Sequence, residues 1–184
     1  MERGRKIILL CHCILNCNSK VEGLSTFKSM IKNLVDILHS EDVGVIQLPC
    51  PEMHVYGIKR WGHVKDQFDT PFFREQCRII LEPTVNQVKN YMDNGYDVLG
   101  VVGIDGSPSC GVNLTYRGNF GGEFSCIENY KECIDTLKMV NEEGVFIEEL
   151  KSILNEKGLD IPFVALLEDD MVRSIEDIKN KLFK

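Results

Sequence analysis

Four apolar runs punctuate the chain, each with the length and composition of a buried strand, and amphipathic stretches lie between them. Lys6 to Leu10 is the first run, Val43 to Leu48 the second, Tyr96 to Ile104 the third and Ile161 to Leu167 the fourth. From Leu24 onward, Phe27, Ile31, Leu34, Val35 and Leu38 mark one helical face. Phe73, Cys77, Ile80, Leu81, Val85, Val88 and Met92 mark a longer one. Pro83 should kink or interrupt that helix, because proline removes a backbone donor and crowds the preceding turn. Gly95 then supplies a left-handed cap. Tyr130, Ile134, Leu137 and Val140 predict another helix, and Phe146, Leu150, Ile153 and Leu154 the next, stopped by Gly158. Ser174, with Asp177 three residues on, resembles a capping box and opens a last amphipathic helix.

Strands alternating with helices predict right-handed crossovers and a mainly parallel sheet of four or five strands with helices on both faces. The expectation is one α/β domain over residues 1–184, a three-layer Rossmann-like fold with strand order 2-1-3-4. Two segments keep no period. Met53 to Pro71 carries His54, Tyr56, Lys59, Arg60, Trp61 and His63 and reads as a lid over a site or a solvated surface excursion. Thr115 to Ser125 reads as a glycine-rich loop.

Composition narrows the function classes. The chain has 184 residues, near the size of one domain, and its formal net charge of −7 argues against nucleic acid or an acidic membrane surface as a partner. No apolar run approaches the ~20 residues needed to span a bilayer. The run after the basic start MERGRK is too short for a signal peptide, so a cytoplasmic protein is expected. Eight cysteines in a reducing compartment do not read as a disulfide framework. Cys77, Cys126 and Cys133 sit within or beside helical patterns and suit small buried hydrophobes.

The remaining cysteines fall at strand ends. The first strand runs into Cys11 and Cys13, with Cys17 in the same loop, the second into Cys50, and the third into the tight loop GSPSCG that ends in Cys110 and Gly111. In an open α/β sheet, ligands bind outside the carboxyl ends of the strands, so topology gathers these cysteines at one edge. Thiolates are soft donors that select zinc, copper(I) or iron–sulfur clusters. Cys13 and Cys17 have the close spacing of a zinc pair, but Cys50 and Cys110 do not form a second pair. Three single ligands from three loops suit a [4Fe–4S] cluster with one iron left free of protein. A buried-thiol or redox-thiol role stays open beside a metal or cluster.

Neighbouring residues supply candidate chemistry. Glu52 follows Cys50 by two positions and can shuttle a proton near a cluster or serve as a helix-start carboxylate. Ser107 and Ser109 flank Pro108 and can contact a heterocyclic substrate or hold a turn. His12 and Asn16 can contact a ligand or cap loop backbone.

The set CHCILN, LPCPE and GSPSCG, each following a strand, resembles the DUF523 family, whose characterised branch is the thiouracil desulfidases. The resemblance covers these three loops and their spacing, with some similarity near GVFIEELKSIL. It implies non-redox removal of sulfur from a small thiolated substrate, a thiouracil-like base, by a desulfidase using a three-cysteine [4Fe–4S] cluster. Matched by motif, the ligands are Cys13, Cys50 and Cys110, and the polar catalytic residues are Glu52, Ser107 and Ser109. The first motif departs from the family pattern by carrying Cys11, Cys13 and Cys17 instead of one cysteine; Cys13 is chosen for its place before ILN. After PCPE the family tends to a glycine-rich turn with Pro and Arg, and here the loop is MHVYGIKRWGH. The rival readings are a non-enzymatic iron–sulfur or sulfur-carrier protein, a structural zinc protein using Cys13, Cys17, Cys50 and Cys110, and a thiol-redox protein using Cys11 and Cys13, which lacks a C-x-x-C motif.

Overall fold

A computed structural model describes residues 2–123, 125 and 130–183; the expectation for Cys126 lies outside them. The four apolar runs form one parallel sheet: β1 (Lys6–Leu10), β2 (Val43–Gln47), β3 (Asp97–Ile104) and, last in the chain, β6 (Phe163–Leu166). Their spatial order is β2-β1-β3-β6, which is the expected 2-1-3-4 order with four strands, and helices lie on both sides. The first run matches β1 end for end, and the other three are trimmed by one or two residues at an end, the usual uncertainty of strand boundaries.

Register decides where the cysteine loops emerge. Leu10 of β1 lies beside Gln47 of β2 and Val102 of β3. The Cys11 amide donates to Val102 O (3.0 Å) and the Leu48 amide to Leu10 O (2.8 Å), so the ladder continues one step into both loops. Between Ile7 and Ile8 the β1–β3 register shifts, leaving Leu99 as an extra residue on β3.

Helix α2 (Lys32–Ser40) packs on β2, and α5 (Pro71–Asp93) packs on β3 and against α7 (Val145–Glu156). Helix α8 (Met171–Leu182) covers β3 and β6. Gly100 permits that approach: a Cβ there would meet Leu182 at 2.8 Å and Pro162 O at 2.9 Å. Buried Phe73, Cys77, Leu81, Val85 and Val88 form the inner stripe of α5. They join Leu34, Leu38, Phe146, Leu150 and Ile178 around the sheet residues Ile8 to Leu10, Val101 and Val102 in one core cluster. Among the described residues no helix is long and apolar enough to cross a membrane.

Several local expectations are corrected. Helix α5 is not interrupted at Pro83; that proline and Ile79, whose carbonyl loses its partner, lie on the exposed face. Helix α2 starts only at Lys32. Before it, the chain is tied to the first cysteine loop instead, with the Cys17 amide on Ser29 O and the Ile31 amide on Ile14 O. Met53 to Pro71 is not a long loop, since it contains most of α3 (Pro51–Tyr56) and all of α4 (Lys65–Phe68). Residues 115–140 hold a two-stranded antiparallel sheet of β4 (Thr115–Arg117) and β5 (Lys138–Val140), with α6 (Tyr130–Asp135) between them and burying none of its residues. Strands of three residues are too short to leave a period-two signal. Asp170, not Ser174, caps α8 by accepting from the Arg173 amide (3.3 Å). Ser174 lies inside the helix and bonds back to the Leu167 amide (2.9 Å).

An ion-pair network fastens the small sheet to the body. Buried Lys65 pairs with Glu148 (2.6 Å) and Glu142 (3.0 Å), and Arg117 pairs with Glu142 (2.8 Å) and Asp66 (2.7 Å). Arg74 extends the network to Glu148 and Glu149.

Candidate functional site

The first cysteine loop leaves β1 at buried Cys11 and makes a single helical turn, α1 (His12–Leu15), that carries half-buried Cys13. Asn16 then caps a 3-10 turn over Cys17–Ser19, its side chain accepting from the Asn18 amide (3.2 Å). His12 stitches this loop to the second: its Nδ1 lies 3.2 Å from Leu48 O, and Gln47 Nε2 donates to His12 O (2.9 Å). Of the two roles open to His12 and Asn16, these contacts are the structural one.

In the second loop Cys50 is the N-cap of α3, with its sulfur accepting from the Met53 amide (3.4 Å). Pro51 occupies the first helical position, where its missing N–H costs nothing. That choice turns Glu52 into the first turn of a helix beside the third loop.

The third loop is compressed. A Cβ at Gly103 would meet Cys110 O at 2.5 Å, and one at Gly111 would meet Leu114 O at 2.2 Å. Gly106 turns the chain at φ +86°. Ser107 Oγ accepts from the amides of Cys110 (3.0 Å) and Ser109 (3.3 Å) and lies 3.2 Å from Ser109 Oγ. Ser107 thus holds the turn, and Ser109 reaches across it: its hydroxyl donates to Glu52 Oε1 (2.7 Å) and lies 3.5 Å from Cys110 Sγ.

The other oxygen of Glu52 meets Arg60, whose Nε donates to Oε2 (2.9 Å), Nη1 to Gly57 O (3.2 Å) and Nη2 to Ser19 O (2.6 Å). The Arg60 side chain is 3% exposed. Sequence reasoning noticed Arg60 only as one of several bases in an aperiodic segment. No spacing rule links it to Glu52, because the chain reverses between them at Gly57 (φ +74°). The segment that reads as a lid or a surface excursion is thereby pinned at Arg60, while Trp61 beside it is 71% exposed.

Cys13, Cys50 and Cys110 are electrostatic neighbours. Burial pushes the Cys13 thiol well up, and the Cys110 charge adds to it while Lys20 opposes it. Burial pushes Cys50 up to about 12, again with Cys110 the next contributor. Cys110 is raised first by its contact with the Cys11 thiol and then by burial. Cys77, in the core of α5, also feels Cys110 and is raised mainly by burial. Lys20 and Arg60, the cations near the sulfurs, are already paired with Glu168 and Glu52.

The chemistry of this donor set fits a cationic inorganic cluster: three soft thiols from three loops feel one another electrostatically in a largely buried setting that withholds compensation for negative sulfur. Among the described residues no three His, Cys, Asp or Glu side chains are gathered closely enough to hold one metal ion. Thiolates on separate irons of a cluster need not converge on one point, so that finding bears on single-ion sites and leaves a cluster open. A concavity of about 700 Å³ lined by Val112, Asn113, Lys151, Leu159 and Phe163 includes none of the three cysteines.

The raised thiols would make any metal loading at these cysteines depend on pH. A thiol must lose its proton to ligate, and all three hold their protons above the ordinary thiol value of 9.0. Protons therefore compete with metal throughout the range below it. Reconstitution titrated from pH 7 to 9 is expected to show tighter iron uptake at the higher pH and proton release into weak buffer.

No family model matches the chain. It is 33% identical over 166 residues to the uncharacterized protein MJ0003 of Methanocaldococcus jannaschii, covering 90% of this chain and 97% of that one. A solved structure described as the [4Fe-4S]-dependent thiouracil desulfidase TudS is similar with a TM-score of 0.49 and 16% identity, over 95% of this chain and 99% of the other. A likeness at that level carries no argument about function.

Proposed function

The chain belongs to the family of the uncharacterized protein MJ0003 of M. jannaschii, and from the resemblance of its three cysteine motifs to the DUF523 family, together with the geometry of the loops that carry them, we propose that it is a desulfidase of DUF523 type, a single α/β domain that removes sulfur from a small thiolated molecule by hydrolysis. The observation that carries the reading is the link between the proton-handling pair and the sulfur set: Ser109 bonds Glu52 at 2.7 Å and stands 3.5 Å from Cys110 Sγ. Cys13, Cys50 and Cys110 would hold a [4Fe–4S] cluster. When bound, such a cluster leaves one iron without a protein ligand and supplies a Lewis acid for a thiocarbonyl sulfur.

The chain's own residues handle protons and water. One thiocarbonyl and one water become one carbonyl and one hydrogen sulfide, with no electron transferred. Glu52, a carboxylate oriented on both oxygens, takes a proton from the attacking water, and the Ser109 hydroxyl relays between Oε1 and the reacting group. Ser107 keeps Ser109 in place through two amide bonds and its contact with Ser109 Oγ.

The test is a screen of thiolated pyrimidines and purines with anaerobically loaded protein. The expected result is sulfide and the oxo product in equal amounts from at least one of them. Loaded protein that releases sulfide from none of them contradicts the desulfidase reading.

A further inference from the structure

A single arginine ties all three cysteine loops together. Ser19 closes the turn after Cys13 and Cys17, and its carbonyl accepts from Arg60 Nη2 at 2.6 Å. Arg60 Nε holds Glu52, two residues past Cys50, at 2.9 Å. Glu52 in turn accepts from Ser109, the residue before Cys110, at 2.7 Å. The continuous line Ser19–Arg60–Glu52–Ser109 therefore crosses the edge of β1, β2 and β3 through one ion pair.

That pair is a costly way to hold a fold. Its two side chains are 3% and 12% exposed, and desolvating both charges offsets much of their attraction. An apolar pair would serve packing alone as well. What the guanidinium adds is direction: a rigid planar fork fixes a carboxylate in rotation as well as in position, and here it uses all three nitrogens on three different partners.

We propose that Arg60 is the positioning residue of this site, setting the orientation of Glu52 against Ser109 and locking the first cysteine loop to the second. The inference rests on the desulfidase reading for its kinetic consequence, but the loop lock itself does not. Arg60 bonds Glu52 through Oε2, the oxygen that Ser109 leaves free. Its effect is expected in turnover, not in substrate affinity.

Two variants and two readouts test it. In loaded Arg60→Gln protein kcat is expected to fall about 10- to 100-fold, the scale of misplacing a reacting group by about 1 Å, with KM within about threefold. Arg60→Lys keeps the charge but not the fork, and is expected to recover part of that loss. In metal-free protein, trypsin should cut after exposed Lys59 several-fold faster in Arg60→Gln than in the wild type, because the segment is no longer tied to Ser19 and Glu52. Turnover within twofold of wild type in Arg60→Gln, or a rise in KM at constant kcat, overturns the proposal. Should Arg60→Gln fail to load iron, Arg60→Lys decides: reduced kcat at full iron content supports positioning, and wild-type kcat overturns it. If the wild type releases no sulfide, the desulfidase reading falls by itself. The cleavage rate then decides the lock, an unchanged rate overturning it.

Discussion

Cys50→Ser is expected to abolish cluster binding and sulfide release together while leaving the fold intact. The sulfur of Cys50 caps α3 by accepting from the Met53 amide, and serine is a preferred residue for that task, so the helix start survives the change. What serine does not supply is a thiolate, the soft donor an iron–sulfur site needs. The loss therefore reports ligation and not stability. Iron per chain should fall toward zero and sulfide release by more than about 100-fold, beyond the 10- to 100-fold typical of losing a residue that only supports a ligand. Cys13→Ser and Cys110→Ser should behave alike. Cys17→Ala and Cys11→Ala should keep iron, since neither is in the proposed ligand set, although the Cys11 thiol contacts the Cys110 thiol. Iron retained at wild-type content in Cys50→Ser would remove it from the ligand set.

The second large effect is at Glu52. Glu52→Gln should keep full iron content and lose about 10²- to 10⁴-fold in sulfide release, the usual span for a general base. Glutamine preserves the size of the side chain and one carbonyl acceptor for Arg60. Glutamine and alanine both remove the counter-charge of Arg60, but alanine also removes its acceptor, and breaking a buried pair outright costs about 3–5 kcal/mol, which would mix stability with chemistry. Iron content measured beside turnover separates the two. A Glu52→Gln protein with wild-type turnover would take the proton-transfer role away from this residue.

Much of the architecture was legible because it rests on long buried patterns. Continuous runs such as KIILL and DVLGVVGI gave the sheet, and the stripe Phe73, Cys77, Leu81, Val85 and Val88 gave α5, since a helix face buried on a sheet has to repeat. The short elements escaped because other forces set them. Strands β4 and β5 are three residues each and are held by Lys65 and Arg117 ion pairs that no local pattern announces. Pro51 by itself announces nothing, because proline is equally at home in an extended segment and at the first position of a helix, and the Cys50 cap distinguishes them.

The same division runs through the site. Glu52 and Ser109 stood out next to cysteines at strand ends, and the fold joins them across 57 residues of sequence. Arg60 did not stand out, because its three partners come from the segment's own turn, from α3 and from the first loop. Ser107 looked equivalent to Ser109 in the motif SPSCG; in the structure one holds the turn and the other faces Glu52.

The most direct measurement is iron and acid-labile sulfide per chain in protein purified and handled without oxygen. About four of each are expected, the content of one [4Fe–4S] cluster, with loss of both in Cys50→Ser. Protein reconstituted anaerobically that holds neither iron nor sulfide, or that holds a full complement of zinc instead, would contradict the cluster assignment.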